Sequence, residues 1–202
     1  MSKKNIPVKP NETYTLTIRD LGIHGEGIGA VDDFTVFVPG ALPGETIQAM
    51  IVTAKKSYAT GRLISIEIPS AHRTTPACPV CHTCGGCQIS HLTYEGQLAV
   101  KERRVKDVMV RIGGCEESLV RPIIGAQHPW NYRNKMAVPV SQVTSGPVLG
   151  YYRQGSHQVI PIASCAIQEE ENNRLLRFAQ GFMTRHQLTG YNEKTGRGSV
   201  RH

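Results

Sequence analysis

Apolar and polar residues alternate through most of residues 13–69, and this period of two is typical of half-buried β-strands. Tyr14, Leu16 and Ile18 alternate with threonines, and the segments FTVFVPG, ETIQAMIVTA and SYATGRLISIEI continue the strand-like pattern. Turns rich in Gly, Asp and Pro separate these segments. Several short antiparallel strands within about 60 residues predict a small closed barrel, because closure leaves no exposed strand edge.

The period changes to that of a helix after the strands. Residues 93–112 carry one apolar face, which Gly113 and Gly114 end. The apolar positions of this predicted helix are Leu98, Val105, Val108, Met109 and Ile112. Its other face is rich in Lys and Arg, as a solvated surface usually is.

The remaining chain combines strands with a second helix. Residues 131–163 alternate again between short turns, so we expect an antiparallel meander. A helix is predicted from about Gln168 to Gln187, with three glutamates near its start, where acidic side chains suit the helix dipole. Its inward positions are predicted to be Leu175, Leu176, Ala179, Phe182 and Met183.

Composition and charge narrow the classes of protein. The 202 residues contain neither a signal peptide nor a long apolar run, which favours a cytoplasmic location with no membrane partner. The net charge is +7, and most of the lysines and arginines lie after residue 75. A basic pole of this kind attracts phosphate backbones, although many basic proteins bind no nucleic acid. We expect a monomer.

Four of the six cysteines lie in the segment CPVCHTCGGCQISH, at Cys78, Cys81, Cys84 and Cys87. Thiols this dense in a reducing compartment indicate a metal site rather than disulfides, and thiolates suit both iron–sulfur clusters and zinc. A compact run favours an iron–sulfur cluster, because zinc sites usually pair two separated CxxC segments. Zinc stays open as an alternative, with His82 as a possible further ligand.

At these residues the sequence resembles the iron–sulfur class of 23S rRNA (uracil-5-)-methyltransferases. The hallmark of that family is C-x5-C-G-G-C followed by a distant fourth cysteine, and Cys78, Cys84, Cys87 and Cys165 fit it. The resemblance implies a 4Fe-4S cluster on these four thiols and leaves Cys81 surplus. The local spacing alone would instead have used all four cysteines of the loop.

The resemblance extends over most of the chain and implies a fold class. The fold would be mainly β with α, an α+β fold in which an OB-like TRAM β-barrel precedes an iron–sulfur central domain with an antiparallel sheet and two helices. The implied Rossmann-like methyltransferase domain would be missing. The implied boundaries are an N-terminal tail at 1–11, the TRAM barrel at 12–70, the iron–sulfur loop at 71–92, the amphipathic helix at 93–114 and the central domain at 115–202.

In the whole enzyme the resemblance implies that a cysteine thiolate adds to C6 of uracil, C5 takes the methyl group of S-adenosylmethionine, and a base removes the C5 proton. No catalytic residue is expected within this sequence, because Cys81 and Cys115 lie outside the family's catalytic motif. We expect S-adenosylmethionine only in the full-length enzyme. The chain is therefore read as an N-terminal portion that is inactive alone.

RNA binding is the expected task of these residues, with 23S rRNA as the partner. Lysines can hold phosphates while aromatic rings stack bases. The candidate contacts are Lys55, Lys56, Arg133, Lys135, Tyr152, Arg153 and His157.

Four alternatives remain at this point. The chain could be a stand-alone RNA-binding module with a structural metal, part of a tRNA-directed uracil-5-methyltransferase, or a ferredoxin-like electron carrier. A redox role for the cluster is the alternative to a structural one.

Overall fold

The computed structural model describes residues 6–202, which divide into two compact units. The barrel unit comprises the described residues up to Thr75 together with Gln88–Ile124. The cysteine unit comprises Pro76–Cys87 and Gly125–His202. The chain therefore passes from one unit to the other after Thr75, after Cys87 and after Ile124. Within residues 6–202, no helix is both long enough and apolar enough to cross a membrane.

Six strands form the sheet of the barrel unit, in the order β1-β5-β6-β4-β3-β2. They are β1 (Thr13–Thr17), β2 (Asp20–Leu21), β3 (Gly27–Val31), β4 (Phe34–Val38), β5 (Thr46–Ala54) and β6 (Tyr58–Ile68). The sheet curls so that its two ends approach each other. The Arg19 N–H, which lies between β1 and β2, donates to the Ile28 carbonyl at 2.8 Å.

The alternation of apolar residues fills the inside of this sheet. Phe34, Val36 and Val38 of β4 are all buried, and the residues between them are only partly buried. The turn between β3 and β4 places Asp32 and Asp33 at φ of 46° and 61°, which is the backbone of a two-residue hairpin turn. The other buried members of the core are Val8, Leu16, Ile18, Ala41, Ile47, Ala49, Ile51 and Ala59.

The prediction that all these strands run antiparallel is wrong for one pair. β4 and β6 run parallel, with Val36 opposite Ala59. Alternation along a strand shows which face is buried, but it says nothing about which strand lies beside it. The long strand β5 provides the crossover between β4 and β6 and pairs antiparallel with both β1 and β6.

Helix α1 (Tyr94–Arg111) belongs to the barrel unit. The Thr93 hydroxyl caps it by accepting a hydrogen bond from the Gly96 N–H at 3.2 Å. The predicted apolar face is largely exposed, at 51% for Val105 and 82% for Ile112. The predicted fold class, which gave two helices to the central domain, is therefore wrong on this point. Helical periodicity identified α1 but did not identify the unit to which it belongs.

The cysteine unit contains a three-stranded antiparallel sheet with one α-helix against it. The elements are β7 (Val140–Val143), β8 (Gly146–Tyr152), β9 (Val159–Pro161) and α2 (Glu170–Arg185). Val140 and Leu149 of the sheet form a buried core with Leu176 and Met183 of α2. Leu175 and Phe182, which were predicted to face inward, are 64% and 45% exposed.

Candidate metal centre and nucleic-acid surface

Five thiols line one cavity of about 230 Å³ within the cysteine unit. Its sulfur-bearing residues are Cys78, Cys81, Cys84, Cys87 and Cys165. Arg133, Tyr151 and Gln168 contribute polar atoms to the same lining. All six cysteines of the chain, including Cys115 in the barrel unit, are free and partly buried. Folding thus brings Cys165 to the loop from which the sequence separates it.

The cysteine loop, residues 76–87, is held by tight turns and by strand β8. Within it, the Val80 carbonyl accepts hydrogen bonds from the N–H groups of Thr83 and Cys84, at 3.0 and 2.8 Å. The Gly85 N–H donates to the Tyr152 carbonyl at 2.9 Å. A Cβ atom on Gly85 would lie 3.1 Å from that carbonyl oxygen, a contact tight enough that the backbone would have to shift by a few tenths of an ångström.

One backbone N–H already points at a sulfur atom. The Gly86 N–H donates to the Cys84 Sγ at 3.4 Å. Hydrogen bonds of this kind stabilise a thiolate, and in iron–sulfur proteins they tune the cluster. The Gly-Gly pair therefore contributes a donor as well as a tight turn.

Cys165 is positioned by two buried polar residues. The Asn173 side chain, 3% exposed, accepts from the Cys165 N–H at 2.8 Å and donates to the Cys165 carbonyl at 3.3 Å. The Gln168 N–H donates to the same carbonyl at 3.1 Å, and the Gln168 amide donates to the Tyr151 hydroxyl at 3.3 Å. These bonds fix the backbone on both sides of the thiol.

Burial and the neighbouring thiols make Cys84 and Cys87 hard to ionise in the absence of a cation. Burial first, and then the neighbouring thiols, raise the pKa of Cys87 to about 11. Burial likewise raises the pKa of Cys84, against the opposing effect of the Gly86 N–H. Among the neighbours that raise the pKa of Cys87, Cys165 has the largest effect and Cys81 the smallest. A bound metal centre would reverse this penalty, because it stabilises thiolates.

The arrangement differs from that of a single-ion site. Within residues 6–202, no group of three or more His, Cys, Asp or Glu side chains is placed to hold one metal ion. The five thiols nevertheless line one cavity. His82 is absent from the residues that line this cavity.

The predicted RNA contacts fall into three places. Lys55 and Lys56 are exposed at the turn between β5 and β6 of the barrel unit. In the cysteine unit, Arg133 lines the thiol cavity, and the exposed Lys135 lies beside it, its carbonyl accepting from the Arg133 Nε at 3.2 Å.

The third place is the turn between β8 and β9, which carries Tyr152, Arg153 and His157. These residues line a cavity of about 560 Å³ together with Gly85 and Gly86 of the cysteine loop. Arg153 also forms an isolated β-bridge with Cys84. The structure therefore brings this group of candidates beside the cysteines.

Several residues of this region were missed by sequence reasoning. Asn173 and Gln168 gave no signal, because an Asn or Gln near a helix start reads as a solvated polar residue. Tyr191 lies in the C-terminal segment, to which no role was assigned. An aromatic residue with a lysine and arginines close in sequence, as Tyr191 has, is the signal that could have directed attention there.

Comparison with known proteins identifies a domain in the barrel unit. Residues 7–64 match the TRAM domain, so the predicted TRAM domain is confirmed and the curled sheet of the barrel unit is its fold.

The whole chain is also similar to proteins named RNA methyltransferase. One from Bacillus cereus is 44% identical over 201 residues, and one from Halalkalibacterium halodurans is 41% identical over 202 residues. Each alignment covers all of this chain and 44% of the relative, so the chain spans less than half the length of these relatives. A relative from Clostridium tetani is 39% identical over 200 residues.

A solved structure shares the fold. The crystal structure of Pyrococcus abyssi tRNA (uracil-54, C5)-methyltransferase in complex with S-adenosyl-L-homocysteine matches 93% of this chain and 41% of its own, with a TM-score of 0.66 and 21% identity. The predicted fold class, in which a Rossmann-like methyltransferase domain is missing, is wrong on these findings. The chain aligns with only part of each of these longer proteins, so the comparisons do not show that such a domain is missing.

Proposed function

We propose that these residues are the RNA-binding and iron–sulfur portion of an S-adenosylmethionine-dependent methyltransferase that makes 5-methyluridine in 23S rRNA. The observation that carries the proposal is the cavity lined by five cysteine thiols in a chain that also has a TRAM domain. The similarity to proteins named RNA methyltransferase supports the reaction class. The barrel unit would hold RNA, and the cysteine unit would hold the cluster and help to position the RNA.

The residues present fit a 4Fe-4S cluster held by Cys78, Cys84, Cys87 and Cys165. The donor set is sulfur throughout, and an N–H group is aimed at one of the sulfurs. Cys81 lines the same cavity, and only the family pattern leaves it out of this ligand set. When bound, the cluster supplies iron–thiolate bonds that join the cysteine loop to the start of α2.

A single zinc ion fits less well. Zn–S bonds of about 2.3 Å draw four sulfurs to within about 4 Å of one another. No three ligand side chains in the described part of the chain, residues 6–202, are arranged around a point in this way. A cubane cluster carries one thiolate on each of four irons and therefore suits a wider spacing.

The role of the cluster in this proposal is structural. Linking Cys87 to Cys165 closes a long loop, and a cross-link of that span removes about 4 kcal/mol of chain entropy from the unfolded state. Methyl transfer to uracil moves no net electrons, so the proposed reaction needs no redox centre. Asn173 and Gln168 prepare the Cys165 backbone for ligation.

Anaerobic purification with iron and acid-labile sulfide analysis tests the cofactor. We expect about four irons and four sulfides per chain, as a cubane cluster requires. Cys165→Ser should lose most of the iron, whereas the matched variant Cys81→Ser should keep it. Iron loss in Cys81→Ser with retention in Cys165→Ser would show that the ligand set is wrong. Zinc without iron would refute the cluster.

The RNA target has a second candidate, because the solved structure with the same fold is a tRNA (uracil-54, C5)-methyltransferase. Deletion of the gene, followed by mass-spectrometric mapping of 5-methyluridine in 23S rRNA and in tRNA, separates the two. Loss of one modified position from 23S rRNA supports the proposal, and loss from tRNA supports the second candidate. An unchanged pattern in both RNAs would overturn the proposed reaction.

A further inference from the structure

The cysteine unit carries another cavity, of about 440 Å³, whose lining shares no residue with that of the thiol cavity. Its lining comes from β7, from the end of β8, from the turn that follows, from the start of β9 and from the segment 191–201. We call five of its residues the nucleotide groove: Tyr152, His157, Tyr191, Lys194 and Arg201. Two aromatic pairs, each containing a cationic or titratable partner, therefore line one cavity.

The first pair is Tyr152 with His157. Their ring centroids are 5.4 Å apart, and the rings are tilted by 34°. The His157 Nδ1 lies 2.9 Å from the Glu193 Oε2, and this contact fixes the orientation of the imidazole. Glu193 comes from the C-terminal segment, so the contact also holds that segment against the turn after β8.

The second pair is Tyr191 with Arg201. The guanidinium carbon lies 5.2 Å from the centre of the tyrosine ring, within the range of a cation–π interaction. Backbone bonds order this segment, because the Tyr191 N–H donates to the Val200 carbonyl at 2.8 Å. The Asn192 side chain also accepts from the Lys194 and Thr195 N–H groups, at 2.9 and 3.1 Å. These bonds order the backbone that carries the Tyr191 ring.

The aromatic and basic side chains of the groove favour a ligand that has a flat ring and a negative charge. Aromatic rings stack on nucleobases of any sequence, and Lys194 and Arg201 supply positive charge for a phosphate. Glu193, the one carboxylate in the lining of this cavity, is already hydrogen-bonded to His157. A volume of about 440 Å³ also lies in the range of about 300–1,000 Å³ that is usual for small-ligand pockets.

We propose that the nucleotide groove binds an unpaired nucleotide of the RNA substrate, with the base on the aromatic rings and the phosphate near Lys194 and Arg201. The inference rests on the proposed function, since it presumes an RNA substrate. Tyr152 and His157 also line the adjacent cavity that contains Gly85 and Gly86. A single strand in the groove would therefore continue towards the cysteine loop.

Fluorescence anisotropy with the cluster-loaded chain tests this groove. The probe is a labelled single-stranded RNA of about 12 nucleotides, which suits the usual site sizes for single strands, with the duplex of the same sequence as a comparison. Tyr191→Ala should weaken single-strand binding about 5- to 150-fold, as expected for the loss of one stacked base. Tyr191→Phe keeps the ring and should bind like the unaltered chain.

Three further measurements separate RNA binding in the groove from RNA binding elsewhere on the chain. Arg201→Gln should also weaken binding, whereas Arg185→Gln, at an exposed arginine that ends α2, should not. In the unaltered chain, a 5-iodouridine probe should cross-link to the peptide that contains Tyr191. If Tyr191→Ala and Arg201→Gln bind the single-stranded probe as tightly as the unaltered chain does, the groove proposal is wrong. Equal affinity of the unaltered chain for the duplex and the single strand would overturn the groove proposal as well. Either result would leave the proposed function standing. Absence of RNA binding by the unaltered chain would instead overturn the proposed function.

Discussion

Replacing Arg73 by methionine is the sharpest test of what holds the barrel unit together. The Glu45 carboxylate has no exposed surface, and its counter-ion Arg73 is 24% exposed. The Arg73 guanidinium donates to both carboxylate oxygens, through Nε to Oε1 and through Nη2 to Oε2 at 2.9 Å. The same Nη2 also donates to the Gly40 carbonyl at 2.7 Å. The pair joins the turn before β5 to the chain that follows β6.

The magnitude follows from the burial of the carboxylate. Arg73→Met keeps most of the side-chain volume but leaves a buried charge with only the N–H groups of Leu42 and Ser70 as partners. Breaking a buried pair in this way costs about 3–5 kcal/mol. The double variant Glu45→Gln with Arg73→Met removes the charge as well and should recover part of that loss. Arg62→Met, at an exposed arginine on β6, should change the free energy of unfolding by less than about 0.5 kcal/mol.

Acid should weaken the same contact. Burial opposes ionisation of Glu45, but Arg73 and the two backbone N–H groups outweigh it and lower the pKa of this carboxyl below its ordinary value. A lowered folded-state pKa contributes stability that is full above the unfolded pKa of about 4.3 and is lost as the pH falls through the folded pKa. The Glu45→Gln variant should lack this part of the acid dependence.

Urea denaturation followed by circular dichroism measures these effects, and pulse proteolysis of the same samples assigns them to the barrel unit. Near-equal unfolding free energies for Arg73→Met and Arg62→Met would refute the reasoning. An Arg73→Met variant that remains as stable at neutral pH as the unaltered chain would show that Glu45 finds other solvation once Arg73 is gone.

Three more expectations follow from the geometry. Asn173→Leu removes the buried side chain that bonds both backbone groups of Cys165. It should lower the unfolding free energy of the metal-free cysteine unit by about 1–3 kcal/mol, measured by urea denaturation. It should also speed iron loss, measured by iron-release kinetics. Gly85→Ala should lower the iron content of purified protein, because the added Cβ meets the Tyr152 carbonyl; an unchanged iron content would contradict this contact. Gly181→Ala, in α2 with open space around it, should raise the melting temperature through a gain of about 0.5–1 kcal/mol, and a lower melting temperature would argue against it.

The fold could be predicted from the sequence where one local signal decides the outcome. Alternation put Leu16 and Ile18 on one face of a strand, and both are buried in the barrel core. The turns rich in Gly, Asp and Pro separated the strands as expected. Periodicity did not show that β4 runs parallel to β6, because strand partners are set by packing between distant segments. Periodicity found α1 but did not show that it belongs to the barrel unit, and the family resemblance gave this helix to the central domain instead.

The candidate site divides in the same way. The spacing of the loop cysteines indicated a thiolate centre, and the family resemblance nominated Cys165, which the structure brings to the same cavity. Asn173 could not be recognised, because its importance depends on two backbone hydrogen bonds that exist only in the folded chain. The basic residues near Tyr191 could have drawn attention to this segment, but the pairing of Tyr191 with Arg201, ten positions apart, depends on the segment folding back on itself.

Because the chain passes twice from the barrel unit to the cysteine unit, the two parts of the cysteine unit are synthesised at different times. Residues 76–87 emerge early and belong to the cysteine unit, but the chain then returns to the barrel unit for residues 88–124. Cys165 follows Cys87 by 78 residues, which take about 4–16 s to synthesise at about 5–20 residues per second. During that interval the loop thiols have been made, but Cys165, which lines the same cavity, has not. The barrel unit can fold in that time, whereas the cavity that Cys165 lines together with the loop can form only after Cys165 has been made.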